Sequence, residues 1–236
     1  MATDSAYFYD FEFLEDGRTI EPISVGIAAY PSDRTYYAVF AEVDDGELHK
    51  RIRGHKWLME NVVPHLPLRE GHERGIWRFE GDWNYALDSR STIVRPKRLI
   101  ANEVREFLQA GLTEQEIAQD DTSRVQLWAD YGAYDHVRLM QLWGPMMTRP
   151  RGLPMWTHDL RQFAEQTGLN PDDAPTTLEG NQHHALHDAL RLREQWLWMT
   201  SQRREITIPL VTQNREPAIQ VERWRPVRPV RDNPQA

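Results

Sequence analysis

Residues 7–13 read Tyr-Phe-Tyr-Asp-Phe-Glu-Phe, an aromatic run suited to the inside of a sheet but broken by two acids two positions apart. Side chains alternate along a strand, so Asp10 and Glu12 share one face while Phe11 and Phe13 point away from it, into a core. Two carboxylates side by side on one face repel each other. A pattern of this kind fits either an edge strand with two solvated acids or an inner strand whose acids hold a divalent cation. Magnesium suits the second case, because it takes oxygen ligands from one or two carboxylates.

The elements around this strand point to an α/β chain. A turn at Glu15-Asp16-Gly17 leads to a second strand, Ile20 to Ala29, and a turn near Pro31-Ser32-Asp33 to a third, Thr35 to Val43, which makes an antiparallel meander. A helix is expected around His55 to Val63, closed by Pro64 and Pro67. Residues 69–95 show no period and read as an irregular insertion. Pro96 opens a helix with Ile100, Val104, Phe107 and Leu108 as its stripe and Gly111 past its end. Val125 to Ala129 is a short strand. Further helices are expected over Val137 to Trp143, from Thr157 as N-cap to Gly168, and from Ala185 to Ser201. The order suggests a ribonuclease-H-like mixed sheet flanked by helices, in one domain over residues 1–204. Residues 205–236 hold Pro209, Pro217, Pro226, Pro229 and Pro234 with Arg223, Arg225, Arg228 and Arg231, and read as an extended arm.

The net charge of −8 over 236 residues argues against salt-driven wrapping of a long nucleic acid duplex, which needs a basic surface. The chain has no cysteine, which excludes disulfides and cysteine-bound zinc and makes a reducing cytoplasm the simplest compartment. The first residues carry acids and no basic region, unlike a secretory leader. No apolar run is long enough to span a bilayer.

Two more clusters carry chemistry. Gly132-Ala133-Tyr134-Asp135 follows the strand Val125 to Ala129, and an acid at such a strand-to-helix junction lies where α/β sheets place ligands. His183-His184-Ala185-Leu186-His187-Asp188 opens the last helix. His183 and Asp188 are five apart and cannot share a helical face. They can meet if Asp188 is on the helix and His183 in the loop before it, which Gly180 and Asn181 favour. Imidazoles titrate near neutral pH, so a histidine beside a metal site suits a general base. His183 and His187 also have zinc-pair spacing, but no third nitrogen or sulfur ligand is near. Asp130 reads as a turn residue. Most of the nine tryptophans belong in the core, with Trp196 or Trp198 a candidate for a subunit contact.

Asp10-Phe11-Glu12, Tyr134-Asp135 and His183 through Asp188, in this order, resemble the DEDDh 3′-5′ exonucleases, and within them the polyadenylate-specific 3′-exoribonucleases of mycobacteria. The second likeness extends to Ile23-Ser24-Val25-Gly26, Leu127-Trp128-Ala129 and Gln141-Leu142-Trp143-Gly144-Pro145-Met146. Phe11 stands where the family usually has a small residue. The resemblance implies two magnesium ions (manganese as a substitute) held by Asp10, Glu12, Asp135 and Asp188, with His183 as general base. It implies release of nucleoside 5′-monophosphates from the 3′ end of single-stranded RNA, with a preference for adenylate ends. It places Glu12 and the Phe13 amide near the terminal nucleotide, and it implies a homodimer. A general DNA or oligonucleotide exonuclease is the alternative on the same residues. A silent RNA-binding module would not need all four acids and the histidine.

Overall fold

A computed structural model describes residues 4–69, 76–79, 82–178, 180 and 182–205. The expected arm at 205–236 lies almost wholly outside them. Strands β1 (Ala6–Glu15), β2 (Ile20–Tyr30) and β3 (Thr35–Phe40) form the antiparallel meander. Helices α1 (Gly46–Gly54) and α2 (Lys56–Asn61) follow, then β4 (Ile76–Phe79), β5 (Asp82–Tyr85) and β6 (Val94–Arg95). Beyond these come α3 (Lys97–Gln109), α4 (Glu114–Gln119), β7 (Gln126–Ala129), α5 (Ala133–Gln141), β8 (His158–Asp159), α6 (Leu160–Thr167) and α7 (Ala185–Glu205). The main sheet has the order β6-β3-β2-β1-β7-β8. β7 runs parallel to β1, and β8 parallel to β7. This is a mixed sheet of ribonuclease-H-like kind, with helices against it.

The alternation along β1 divides the core. Tyr7, Tyr9 and Phe11 join one cluster with Val25, Ile27 and the α3 stripe Ile100, Val104 and Leu108. Ala6 and Phe8 join another with Trp128, Leu160, Leu192 and Met199, contributed partly by α6 and α7. Burying a side chain the size of Phe8 contributes about 1.5–3 kcal/mol. Asp10 and Glu12 continue the Phe8 face, beyond its apolar cover.

Several boundaries differ from the sequence reading. The helix expected over His55 to Val63 is the shorter α2, capped by the His55 ring accepting from the Leu58 N–H at 3.3 Å, and α1 precedes it where no helix was expected. The stretch expected to be irregular contains the antiparallel pair β4–β5, in which Trp77 and Trp83 supply strand-favouring side chains. α5 starts at Ala133 rather than Val137. Thr157 caps nothing; its hydroxyl donates to the Leu127 carbonyl, and Asp159 caps α6 by accepting from the Arg161 and Gln162 amides. Trp196 packs on Phe8, Tyr30 and Trp128, and Trp198 also lies against that cluster. Both tryptophans are only partly buried there.

Candidate active site

The five residues singled out in the sequence converge. Asp10, Glu12, Asp135, His183 and Asp188 line one cavity of about 340 Å³. It sits at the carboxyl ends of the parallel strands β1 and β7, where α5 begins, a position set by the topology.

Each side chain is placed by a different part of the fold. Asp10 and Glu12 are fixed by β1, which is paired to β2 on one side and, at its start, to β7 on the other. Asp135 is in the first turn of α5, and its carboxylate accepts from the Phe11 amide at 2.9 Å, across the strand. The next residue locks this turn. His136 Nε2 donates to the Met155 carbonyl at 2.9 Å, so Nδ1 is left to accept from the Tyr9 hydroxyl at 3.1 Å.

Asp188 arrives from the first turn of α7, which crosses β1 and β2. Gly26, opposite Asp10 in β2, makes this approach possible. A Cβ there would lie 2.2 Å from the Leu186 nitrogen and 2.3 Å from its Cα. His183 sits in the loop before α7 with φ 67°, a left-handed backbone uncommon for a residue with a Cβ. That conformation turns its N–H back onto the Asp188 carboxylate at 2.9 Å. The neighbouring His184 stacks on Tyr37 of β3, ring centroids 4.3 Å apart, and pins the loop to the sheet.

The electrostatics follow from packing four acids together. Burial pushes the Asp10 carboxyl well above its usual range, and Asp135, Glu12 and Asp188 push it further. Glu12 is raised to about 8, by burial first and then by Asp188 and Asp135. Asp135 is raised to about 7 by burial, against the pull of the Phe11 amide. Asp188 is raised by burial although the His183 amide opposes it. A cation placed among these carboxyls would offset their repulsion. Oxygens of Glu12 and Asp188 and a ring nitrogen of His183 lie within 4.8 Å of one another. That group includes the histidine, and Asp10 and Asp135 stand outside it.

Aromatic residues wall the cavity. Phe13 was expected in the core, but the sheet register slips between Glu12 and Phe13. Leu14 takes the buried place, and the Phe13 ring lines the cavity, stacked on Tyr134 at 6.0 Å. Trp57 is 46% exposed and meets the His183 ring edge-on at 4.7 Å. Sequence reasoning missed Trp57, which the apolar pattern of α2 places with Leu58 and Met59. It also missed Gly26, although a glycine inside a strand signals close backbone approach. Asp130, read as a turn residue, follows β7 and is gripped by both ends of the Arg161 fork, at 2.7 and 2.8 Å.

No family model matches the chain. Curated 3′-5′ exoribonucleases from two strains of Mycobacterium tuberculosis do match. Each is 38% identical over 162 residues, which is 69% of this chain and 75% of the relative. The chain belongs to this exoribonuclease family. As a member it is a hydrolytic enzyme, and the cavity at the end of β1 is its candidate active site. Among the described residues, no helix is long and apolar enough to cross a membrane.

Proposed function

We propose that the chain is a magnesium-dependent 3′-to-5′ exoribonuclease of the DEDDh type, releasing nucleoside 5′-monophosphates from single-stranded RNA with a preference for adenylate ends. The observation that carries this reading is the convergence of Asp10, Glu12, Asp135, His183 and Asp188 on one cavity. The donor set fits a hard divalent cation: four carboxylates, each pushed up by burial, with no lysine or arginine among the described residues that line that cavity. Asp10, Glu12, Asp135 and Asp188 would hold two magnesium ions, with manganese as a substitute. Such ions supply Lewis acidity at a phosphodiester and a lower pKa for water.

The chain's own residues do the rest. His183 takes a proton from the attacking water. The new bond joins water oxygen to phosphorus, the bond from phosphorus to the 3′-oxygen of the preceding nucleotide breaks, and that oxygen is protonated from solvent. Phe13, Tyr134 and Trp57 offer ring faces and edges to a terminal base, a contact that tolerates any base. Glu12 accepts from a ribose hydroxyl, which distinguishes RNA from DNA at that nucleotide, and the Phe13 amide contacts the same nucleotide. A duplex end must unpair before its last nucleotide enters.

The catalytic unit in this reading is residues 1–204, with 205–236 as an arm, and the protein acts in the cytoplasm. A homodimer belongs to the same reading and rests on the family resemblance. A time course on matched oligo(A), oligo(U), oligo(C) and oligo(dA) with magnesium tests substrate choice. Oligo(A) is expected to shorten fastest. Equal rates on all four would remove the adenylate preference and favour a general oligonucleotide exonuclease.

A further inference from the structure

The carboxylates have a cavity on each side. The second, about 400 Å³, shares Asp10, Asp130, His183 and Asp188 with the aromatic one and extends over α6 and α7. Its wall on α7 is a single stripe, Asp188, Arg191, Leu192 and Gln195, whose spacings of three and four put them in one row. Among the described residues, no phenylalanine, tyrosine or tryptophan lines it. Arg161 and Arg191 do.

The two arginines differ. The Arg161 fork closes on Asp130, so its charge is matched there. Arg191 is held by neutral acceptors: Nη2 donates to the Ala174 carbonyl at 2.9 Å and Nη1 to the Pro175 carbonyl at 3.1 Å. The carboxylate beside it, Glu194 at 3.5 Å, accepts shorter bonds from the hydroxyls of Thr176 and Thr177. A guanidinium has five donors, so Arg191 keeps N–H groups beyond its two backbone bonds. Gln195, only 6% exposed, also lines this cavity, and its carboxamide has just a long 3.4 Å contact to Asp172.

A phosphodiester cut at the carboxylates has a nucleoside on either side. The terminal one ends in a free 3′-hydroxyl and needs stacking and ribose contacts. The other belongs to a strand that continues and carries a further phosphate, which needs a cation. The aromatic cavity suits the first, and the second cavity, where Arg161 and Arg191 stand beside the acids, offers the other its cation. We propose that the second cavity receives the penultimate nucleotide, with Arg191 facing the phosphate on its 5′ side. This rests on the exoribonuclease reading above and adds the upstream half of the substrate to it.

The test compares two substrates with the full chain in magnesium: single-stranded oligo(A), and the p-nitrophenyl ester of adenosine 5′-monophosphate, which has no nucleotide behind the cut. Arg191→Gln is expected to lower kcat/KM for RNA relative to the ester by about 10- to 100-fold, the range for one charge-assisted contact, mainly through KM. The slope of log affinity for RNA against log salt should shrink by about 0.7, one phosphate contact on a single strand. Arg191→Lys keeps the charge and should recover most of the ratio. An unchanged ratio in Arg191→Gln overturns the proposal. So does a parallel fall on both substrates in both variants, which would mark Arg191 as a brace for the chain at 174–175. Wild-type protein inactive on RNA and ester alike would instead overturn the exoribonuclease reading, and the subsite with it.

Discussion

The candidate active site has a strand-borne half and a helix-borne half, held by different means. Asp10 and Glu12 stand on β1, whose backbone is bonded into the sheet and whose acids are placed by simple alternation. Asp188 and His183 stand at the start of α7, and their place depends on Gly26 admitting the helix and on a left-handed His183 backbone. The strand half is local and stiff. The helix half exists only once α7 has docked, so it is the half that distant substitutions can damage.

The largest effect is expected where the two halves meet at the proposed metal site. Asp10→Ala and Asp188→Ala should each abolish nuclease activity. Neither should lower the metal-free melting temperature much: Asp135, Glu12 and Asp188 repel Asp10, and Asp188 in turn repels Asp10 and Glu12, which offsets the loss of its bond from the His183 N–H. A nuclease assay with thermal melting in EDTA checks this, and an active Asp10→Ala protein would contradict the site. His183→Ala should cost about 10²–10⁴-fold in kcat with little change in magnesium affinity, as loss of a general base does. If His184→Ala or His187→Ala is the crippled variant, the proton passes through another ring.

Gly26→Ala attacks the docking itself. Its Cβ meets backbone rather than a flexible side chain, so α7 must shift. The expected cost is about 1–3 kcal/mol of stability, with activity falling more than stability because Asp188 and His183 move together. Urea melts and a rate assay measure both. Wild-type activity in Gly26→Ala would show that the helix half tolerates displacement.

A further expected effect is a pH dependence of the metal-free protein. Folding raises Glu12 from 4.5 to about 8 and Asp135 from 3.8 to about 7. Groups raised by folding contribute stability that is fully present below their unfolded values and lost as pH rises through the folded ones. In chelator, the melting temperature should therefore fall as the pH rises from about 4 to about 8, and fall less in Glu12→Gln. The same slope in wild type and variant would contradict the assignment of Glu12.

The two halves were also unequally legible in the sequence. An apolar strand interrupted at every second position by an acid shows its geometry in one line of residues, as Asp10 and Glu12 do. Asp135 was legible from the strand before it. The mixed sheet followed from the meander and the later strand. The spacing of His183 and Asp188 needed a loop, which the sequence allowed but could not shape, since its φ is set by contacts such as His184 on Tyr37. Phe13 packs against the core only in part and also lines the cavity, because the register slips between Glu12 and Phe13, and a slip is a property of two strands that the Phe13 side chain alone does not record. Trp57 was missed because periodicity does not distinguish an apolar ring facing a cavity from one facing a core.

The central claim is that the two halves together form a metal-dependent, 3′-end-specific nuclease. The most direct measurement is digestion of single-stranded RNA labelled at either the 5′ or the 3′ end, in magnesium and in EDTA. The account predicts immediate release of a labelled 5′-mononucleotide from the 3′-labelled strand and a ladder shortening one nucleotide at a time from the 5′-labelled strand. Both should occur only with the metal. Internal cuts, attack from the 5′ end, or unchanged rates in EDTA would contradict it.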